Sequence, residues 1–279
     1  MASKILSLHN DTLKLRCVMW GHEAAPAVMM LHGLRAYGHW FDDFAIPASR
    51  HFRLIAPDQR GRGGSDWAAD GRYDTDSYVA DMLAIADALG LHRFAIIGHS
   101  MGGTNAINFA ARYPERVTAL VIVDSAPELD PIGLQRIARE TSEMPSSFSS
   151  RKEARNYLRT LHRRASDSSI ATRLEWALEE SGGTYRWRID PAIFPLKPDS
   201  PQRSWDALAA IKCPTLVVRA GESDLVTSEC ANRMIQAIAT GSGVEIAGAG
   251  HMVLEDNPEG FAAAALPFLM QTAADLSSR

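Results

Sequence analysis

Short apolar runs alternate with helical segments along most of the chain. Several of the runs are rich in β-branched residues, which is typical of buried strands. The predicted strands of this kind cover residues 27–31, 52–56, 94–97, 117–123, 214–219 and 243–247. The predicted helices of the same region cover residues 75–89, 104–113, 227–239 and 258–271. Strands that alternate with helices predict an α/β fold with a mostly parallel central sheet and helices on both faces.

The start of the chain has a different pattern. Residues 5–8 and 13–19 alternate apolar with polar side chains, and Asn10 and Asp11 join them. Alternation on both sides of a short polar link indicates a β-hairpin. We therefore expect the sheet to begin with an antiparallel pair of strands.

Strand signals disappear in residues 128–205. Helical patterns take their place at residues 131–143, 151–164 and 169–180. Ser150 stands three residues before Glu153, which is the spacing of a capping box at a helix start. We interpret this segment as a helical cap inserted into a core made of residues 1–127 and 206–279. The cap would lie over the carboxyl ends of the strands, where open α/β sheets bind their ligands.

Composition limits the partners of the protein. A net charge of −4 over 279 residues gives no basis for expecting nucleic acid or an anionic membrane surface as a partner. No apolar run approaches the length of about 20 residues that a membrane span needs. Cys17, Cys213 and Cys230 lack the spacing of a zinc site or a disulfide framework. Because no secretory signal is visible, we expect a cytoplasmic protein with reduced thiols.

The segment F-A-I-I-G-H-S-M-G-G at residues 94–103 places Ser100 between a predicted strand and a predicted helix. Its centre matches G-x-S-x-G, the pattern of a sharp turn that holds a serine hydroxyl out above a sheet. Gly98 and Gly102 flank the serine where the turn is too crowded for a Cβ. We therefore predict that Ser100 is a nucleophile. The N–H of Met101, at the start of the helix, would stabilise an oxyanion beside it.

A serine hydroxyl needs a base to accept its proton, and the base needs an acid to orient it. Of the nine histidines, His251 is the best candidate for the base, because it lies in a glycine-bounded loop just after the last predicted strand. Two aspartates compete for the role of the acid. Asp124 directly follows the strand at 117–123, and Asp224 follows the strand at 214–219 through a short polar loop.

Five motifs occur in a characteristic order. They are H-G-L-R at 32–35, D-Q-R-G-R-G-G-S-D at 58–66, G-H-S-M-G-G at 98–103, R-A-G-E-S-D at 219–224 and G-A-G-H-M at 248–252. Together they resemble the α/β-hydrolase superfamily, in its cap-bearing branch of esterases, lactonases, epoxide hydrolases, haloalkane dehalogenases and carbon–carbon bond hydrolases. The epoxide hydrolases and dehalogenases carry Asp at the nucleophile position, so Ser100 argues against both chemistries. Within the branch, D-Q-R-G, V-I-V-D-S-A-P and V-V-R-A-G-E-S are similar to hydrolases that cleave an acetamidomethylene-succinate.

The resemblance implies roles for further residues. Its chain order of nucleophile, acid and histidine supports His251 as the base. Its commonest acid position corresponds to Asp224, which we therefore prefer to Asp124. The backbone N–H of Leu34 is implied as a second donor to the oxyanion, beside that of Met101.

These residues predict a serine hydrolase that cleaves a small carboxylic ester or lactone through an acyl-enzyme on Ser100, with no metal or organic cofactor. An amide or carbon–carbon bond hydrolase acting on a small carboxylate-bearing substrate is the alternative. A cofactor-free perhydrolase or acyltransferase would use the same residues, and a non-catalytic ligand receptor would need only the pocket. In each case we expect a small molecule as the partner, and a monomer or a homodimer.

Three side chains are candidates for substrate binding, namely Arg35, His39 and Trp187. Trp187 belongs to the segment Y-R-W-R at 185–188, which alternates aromatic with cationic residues. Residues 131–190 contain eleven Lys and Arg against eight Asp and Glu. Solvated helix faces and a cap that favours anionic substrates both explain this excess, and the sequence leaves the two open.

Overall fold

The computed structural model describes residues 3–10, 13–195 and 199–277. Its strands are β1 (Lys4–Asn10), β2 (Leu13–Trp20), β3 (Ala27–Leu31), β4 (Arg53–Pro57), β5 (Phe94–His99), β6 (Val117–Val123), β7 (Ser147–Phe148), β8 (Leu178–Ser181), β9 (Thr184–Trp187), β10 (Thr215–Ala220) and β11 (Gly241–Ile246). One sheet has the order β1-β2-β4-β3-β5-β6-β10-β11, and a small second sheet has the order β7-β9-β8. In the large sheet β2 is antiparallel to β1 and to β4, and the other neighbours are parallel. The predicted hairpin at the start is confirmed, although Asp11 in its link lies outside the described residues.

Helices cover both faces of the large sheet. They are α1 (Asp42–Ala48), α2 (Thr75–Ala88), α3 (Met101–Arg112), α4 (Pro131–Ser142), α5 (Arg151–Leu161), α6 (Asp167–Trp176), α7 (Pro201–Ala210), α8 (Ser228–Ala237), α9 (Val253–Asp256) and α10 (Pro258–Ser277). Residues of α2, α3, α7 and α8 share one hydrophobic cluster, whereas residues of α1, α9 and α10 share another. The predicted fold class, a mostly parallel sheet between two helical layers, is confirmed.

The central strand β5 shows why both faces need helices. Every one of its residues is buried. Phe94 and Ile96 belong to the cluster that includes α2 and α3, while Ala95 and Ile97 belong to the cluster that includes α1 and α10. Side chains alternate between the two faces of a strand. A strand that is apolar throughout must therefore be covered on both sides.

The segment that we interpret as a cap contains α4, α5, α6 and the small sheet β7-β9-β8. It is not purely helical as predicted, because the helix expected over residues 169–180 ends at Trp176 and two strands follow. Gly182 and Gly183 join β8 to β9, with φ values of 59° and 77°. A two-residue hairpin turn of this kind requires positive φ, which glycine adopts without strain. The Gly-Gly pair was the hairpin signal in the sequence.

The starts of α5 and α7 can be compared with the predicted helix start and the predicted end of the cap. At the start of α5, Oγ of Ser150 accepts a hydrogen bond from the N–H of Glu153 at 3.2 Å, as the capping-box spacing predicted. The expected boundary after residue 205, in contrast, falls inside α7. Ser200 caps α7, and the helix contacts α3 of the core. We therefore place the proposed end of the cap before Pro201.

Two expectations from composition concern the helices and the thiols. Within the described ranges, no helix combines the length and the apolar character of a membrane span. Cys17, Cys213 and Cys230 are buried and unpaired by disulfides. Burial raises the pKa of the Cys17 thiol to about 12 and that of the Cys213 thiol to about 11. Both thiols therefore stay protonated at neutral pH, a form that is a poor nucleophile.

Candidate active site

Ser100 lies on the turn between β5 and α3 in an unusual backbone conformation. Its φ is 54° and its ψ is −124°, a combination that costs a residue other than glycine on the order of 1–3 kcal/mol. A Cβ at Gly98 would lie 2.4 Å from the carbonyl oxygen of Gly102, and a Cβ at Gly102 would lie 2.2 Å from that of Leu31. Both glycines are therefore required, as the crowding argument predicted.

The hydroxyl of Ser100 belongs to a hydrogen-bonded series with an imidazole and a carboxylate. Oγ of Ser100 lies 3.0 Å from Nε2 of His251, and Nδ1 of His251 lies 2.8 Å from Oδ2 of Asp124. Because a carboxylate only accepts, Nδ1 carries the proton and Nε2 presents its lone pair to the hydroxyl. The structure thus brings the two residues predicted as nucleophile and base into direct contact.

Asp124, and not the preferred Asp224, orients His251, so that assignment was wrong. Asp124 directly follows β6, has a φ of 42° and is almost completely buried. Its Oδ1 accepts from the N–H of Ala220 at 3.0 Å, and its Oδ2 accepts from Oγ of Ser223 at 2.8 Å. These donors hold both carboxylate oxygens in place while one of them faces the imidazole.

Asp224 is bound to the cap instead. Arg136 of α4 donates from Nε and Nη2 to the two oxygens of Asp224, at 2.5 and 2.8 Å, and this guanidinium lowers the pKa of the carboxyl. A Cβ at Gly133 would lie 2.3 Å from the carbonyl oxygen of Asp224, so glycine lets α4 approach the loop this closely. The strands β6 and β10 are neighbours, and their carboxyl ends meet at one edge. In the loop after β10, Ser223 donates a hydrogen bond to Asp124. The next residue, Asp224, lies farther along the loop and binds Arg136 of α4.

His99 has a structural role beside the serine. The residue is buried, and its ring lies 4.6 Å from that of Trp40 and 4.8 Å from that of His251. Nε2 of His99 donates to the backbone carbonyl oxygen of His251 at 2.8 Å. Burial holds the pKa of His99 well below its ordinary value, so the ring is neutral. His99 therefore supports the backbone from which the imidazole of His251 reaches the serine.

The loop after β3 brings Leu34 into the cavity that contains Ser100. A Cβ at Gly33 would lie 3.2 Å from Cβ of Ser100. His32 holds this loop, because its Nδ1 donates to the carbonyl oxygen of Gly33 at 2.8 Å while its Nε2 accepts a backbone N–H at 3.0 Å. Burial lowers the pKa of His32 to about 4. Among the hydrogen bonds of the described residues, the N–H groups of Leu34 and Met101 have no acceptor.

A cavity of about 110 Å³ lies between the cap and the sheet, and Ser100 and His251 form part of its wall. Arg35 and Trp187, two of the residues predicted to contact substrate, also line it. Arg35 is not a free cation, since its Nη2 donates to Oε2 of Glu140 at 2.5 Å. The same carboxylate accepts from Arg136 at 2.9 Å. A chain of ion pairs thus links α4 to the loops that follow β3 and β10.

His39 does not line this cavity, so its prediction as a pocket residue was wrong. Its Nδ1 lies 3.0 Å from Oδ1 of Asp42, and its ring stacks on Trp176 at 4.0 Å between centroids. The stack joins the loop after β3 to the cap helix α6. The two arginines of the Y-R-W-R segment are also absent from the lining residues in the described part of the chain.

The geometry around Ser100 defines what the site can do chemically. An imidazole with a lone pair 3.0 Å from a hydroxyl can accept its proton. A buried carboxylate on the other ring nitrogen stabilises the imidazolium that forms. Within the described ranges, no three His, Cys, Asp or Glu side chains are grouped to hold a metal ion. The arrangement could therefore serve as a nucleophile with a general base.

Comparison with known proteins shows similarity over nearly the whole chain. The 3-hydroxybutyrate-oligomer hydrolase of Cupriavidus necator is 30% identical over 252 residues, which cover 83% of this chain and 85% of the relative. The 2-(acetamidomethylene)succinate hydrolase of Mesorhizobium japonicum is 26% identical over 237 residues, which cover 85% of each. The crystal structure of an E-2-(acetamidomethylene)succinate hydrolase matches with a TM-score of 0.87 at 24% identity, over 96% of this chain and all of that one. At this identity the structural match shows the shared fold.

A family model settles the classification. The model described as alpha/beta hydrolase fold matches residues 26–258. The matched range includes β3 through α9 and the residues Ser100, Asp124 and His251. The resemblance found in the five sequence motifs is therefore confirmed. The chain belongs to the α/β-hydrolase family.

Proposed function

We propose that the protein is a serine hydrolase that cleaves a small carboxylic ester or lactone through an acyl-enzyme on Ser100. The observation that carries the proposal is the pair of distances, 3.0 and 2.8 Å, that joins Ser100 to His251 and His251 to Asp124. A hydroxyl beside a base that a buried carboxylate orients is an activated nucleophile. The name of the Cupriavidus relative, a hydrolase of 3-hydroxybutyrate oligomers, adds support because hydroxy-acid oligomers are joined by ester bonds.

The first step forms the acyl-enzyme. Oγ of Ser100 bonds to the carbonyl carbon of the substrate, and its proton passes to Nε2 of His251. The carbonyl oxygen becomes an oxyanion, which the backbone N–H groups of Leu34 and Met101 stabilise. His251 then protonates the leaving oxygen as the carbon–oxygen bond breaks, and the alcohol departs.

The second step releases the acid. A water molecule gives a proton to Nε2 of His251 as its oxygen bonds to the acyl carbon. His251 returns that proton to Oγ of Ser100 when the acyl bond breaks. Asp124 keeps Nδ1 of His251 protonated throughout and stabilises the imidazolium in both steps.

An amide or carbon–carbon bond hydrolase that acts on a small carboxylate-bearing substrate is the second candidate. Of the arginines that line the cavity, Arg173 has terminal N–H groups without an acceptor among the described residues, and guanidinium groups form strong hydrogen bonds with carboxylates. The Mesorhizobium relative is named for the hydrolysis of a succinate derivative. Ser100, His251 and Asp124 would act as described above, with a different leaving group.

The test is hydrolysis of p-nitrophenyl acetate by the purified protein and by a Ser100→Ala variant. We expect the substitution to lower kcat/KM on the order of 10³- to 10⁶-fold at an unchanged melting temperature. A fluorophosphonate should label Ser100, as peptide mass spectrometry would show. Turnover that survives in Ser100→Ala, or a label on another residue, would contradict the proposal.

A further inference from the structure

Three arginines line the cavity, and they differ in how their N–H groups are used. Arg136 donates from Nε, Nη1 and Nη2 to carboxylates. Arg35 donates from Nη2 to Glu140, and 24% of its side chain is exposed to solvent. Arg173 of α6 differs from both. It is 3% exposed, and it donates from Nε to Oε1 of Glu255 at 2.8 Å.

The terminal nitrogens of Arg173 have no acceptor among the described residues, and Nη2 is completely buried. A buried charged donor without an acceptor lowers the stability of a fold, and native proteins rarely leave one. Glu255 balances the charge of Arg173 through Nε, but its other oxygen, 3.3 Å from Nδ1 of His162, forms no hydrogen bond with either terminal nitrogen of Arg173. The guanidinium therefore keeps donors for a group that enters the cavity.

We propose that Arg173 binds a carboxylate of the substrate, so that the enzyme acts on small acyl compounds carrying a second, unreactive carboxylate. The inference rests on the proposed function, since the same cavity holds Ser100. A guanidinium forms strong, charge-assisted hydrogen bonds with a carboxylate.

A purely structural role is the competing explanation for Arg173. The ion pair with Glu255 joins cap helix α6 to core helix α9, which begins two residues after His251. That role uses Nε alone and leaves the terminal nitrogens unexplained. Apolar side chains such as Ile137 and Leu158 form other parts of the wall and offer these nitrogens no acceptor. The two explanations differ in their consequences for charged and neutral substrates.

The experiment compares esters that differ in a single carboxylate. Monomethyl succinate carries the carboxylate on its acyl side, and methyl butanoate is its neutral counterpart. 3-Acetoxypropanoate carries it on the alcohol side, and propyl acetate is the counterpart. Hydrolysis is followed by pH-stat titration at neutral pH. We expect the wild type to prefer at least one acid over its counterpart, and Arg173→Gln to reduce that preference about 10- to 100-fold, mainly through KM.

Glu255→Gln is the matched control. It keeps an acceptor for Nε of Arg173 but removes the ion pair between α6 and α9 and the negative charge beside the guanidinium. The preference for the acid should therefore be kept or increased, whereas a purely structural role of the pair would make Glu255→Gln behave like Arg173→Gln. The proposal is wrong if Arg173→Gln changes both esters equally, or if the wild type prefers neither acid. Phosphonate labelling of Ser100 separates the two failures. A labelled serine without charge preference overturns only the role of Arg173.

A second measurement uses the wild-type protein only, so it does not depend on whether Arg173→Gln folds. Free succinate should slow the phosphonate labelling of Ser100 in the wild type, because it would occupy the site at Arg173. Succinamide, which has the same shape and no charge, should leave the rate of labelling nearly unchanged. Equal protection by the two compounds, or none by either, would overturn the proposal even if Arg173→Gln fails to fold.

Discussion

Nε2 of His99 donates a hydrogen bond to the backbone carbonyl oxygen of His251, 2.8 Å away, across 152 residues of sequence. His99 precedes the serine directly, and His251 is the residue whose side chain meets that serine. The bond therefore ties the turn that carries the hydroxyl to the loop that carries the base. Because His99 is buried and neutral, its N–H is a fixed donor that water does not replace.

Loss of this donor should slow catalysis more than it weakens binding. We expect His99→Phe to lower kcat by about 10- to 100-fold, because a displacement of about 1 Å at a catalytic group costs about that much. The phenyl ring keeps the contact with Trp40 but cannot donate to His251. Steady-state kinetics with a neutral ester provide the measurement. An unchanged kcat would show that the bond does not position His251.

Substitution of Asp124 and substitution of Asp224 should have different effects on turnover. Asp124→Asn should reduce kcat by about 10⁴-fold, because an amide leaves the imidazole in the wrong tautomer. Asp224→Asn should keep most turnover and lose at most about 1 kcal/mol of stability, since its pair with Arg136 is partly exposed. Turnover and melting temperature, measured for both variants, show which aspartate orients His251. The opposite pattern would return the role of the acid to Asp224.

The choice between these aspartates could not be made from local sequence. Both follow neighbouring parallel strands, so either side chain could reach the same edge of the sheet. The outcome depends on Arg136, which lies 88 residues before Asp224, and on the close approach that Gly133 permits. The turn at Ser100 was predictable because its flanking glycines carry the steric reason within five residues of sequence.

The fold, like the turn at Ser100, could be predicted from local sequence, whereas the positions of His39 and Arg173 relative to the pocket could not. Buried strands such as β5 are apolar on both faces, which defines the large sheet and its two helical layers from the pattern alone. His39 and Arg173 have no local signal. Whether each faces the cavity depends on how α6 packs, and this packing places His39 against Trp176 and Arg173 against Glu255.

Strain at the nucleophile should be measurable as stability. Ser100→Gly and Ser100→Ala both remove the hydroxyl, but glycine adopts the observed φ of 54° more easily than alanine. We expect Ser100→Gly to be more stable than Ser100→Ala by about 1 kcal/mol. Urea unfolding of the two inactive variants gives the difference directly. A more stable alanine variant would mean that the turn carries no such strain.

Acid should weaken the fold before most carboxylates are protonated. The folded pKa of His32 is about 4, while the unfolded chain has the ordinary value of 6.5. Below pH 6.5 the unfolded state binds more protons, so stability is full above this pH and falls as the pH decreases. For His32 alone, the loss between pH 6.5 and 5 is about 1.5 kcal/mol. Urea unfolding at both pH values should show a smaller loss in His32→Gln, and an equal loss would exclude this residue as a source.

The contact between α4 and the loop after β10 should reverse the usual effect of alanine in a helix. Alanine is favoured over glycine by about 1 kcal/mol in a helix. We nevertheless expect Gly133→Ala to destabilise the protein by about 1–3 kcal/mol, because its Cβ would overlap a carbonyl oxygen. Gln135→Ala, at an exposed position of α4, is the control and should be neutral or slightly stabilising. Increased stability of Gly133→Ala in urea would contradict the close approach.

In the described part of the chain, Ser100 and Asp124 are the only residues other than glycine with positive φ. Selection for thermal stability alone would therefore favour substitutions that remove Ser100 and Asp124. Glycine at position 100, and glycine or asparagine at position 124, adopt these conformations at lower cost. A library sorted only by melting temperature should accumulate such changes and yield robust, inactive proteins. Directed evolution of this chain needs a turnover screen in every round.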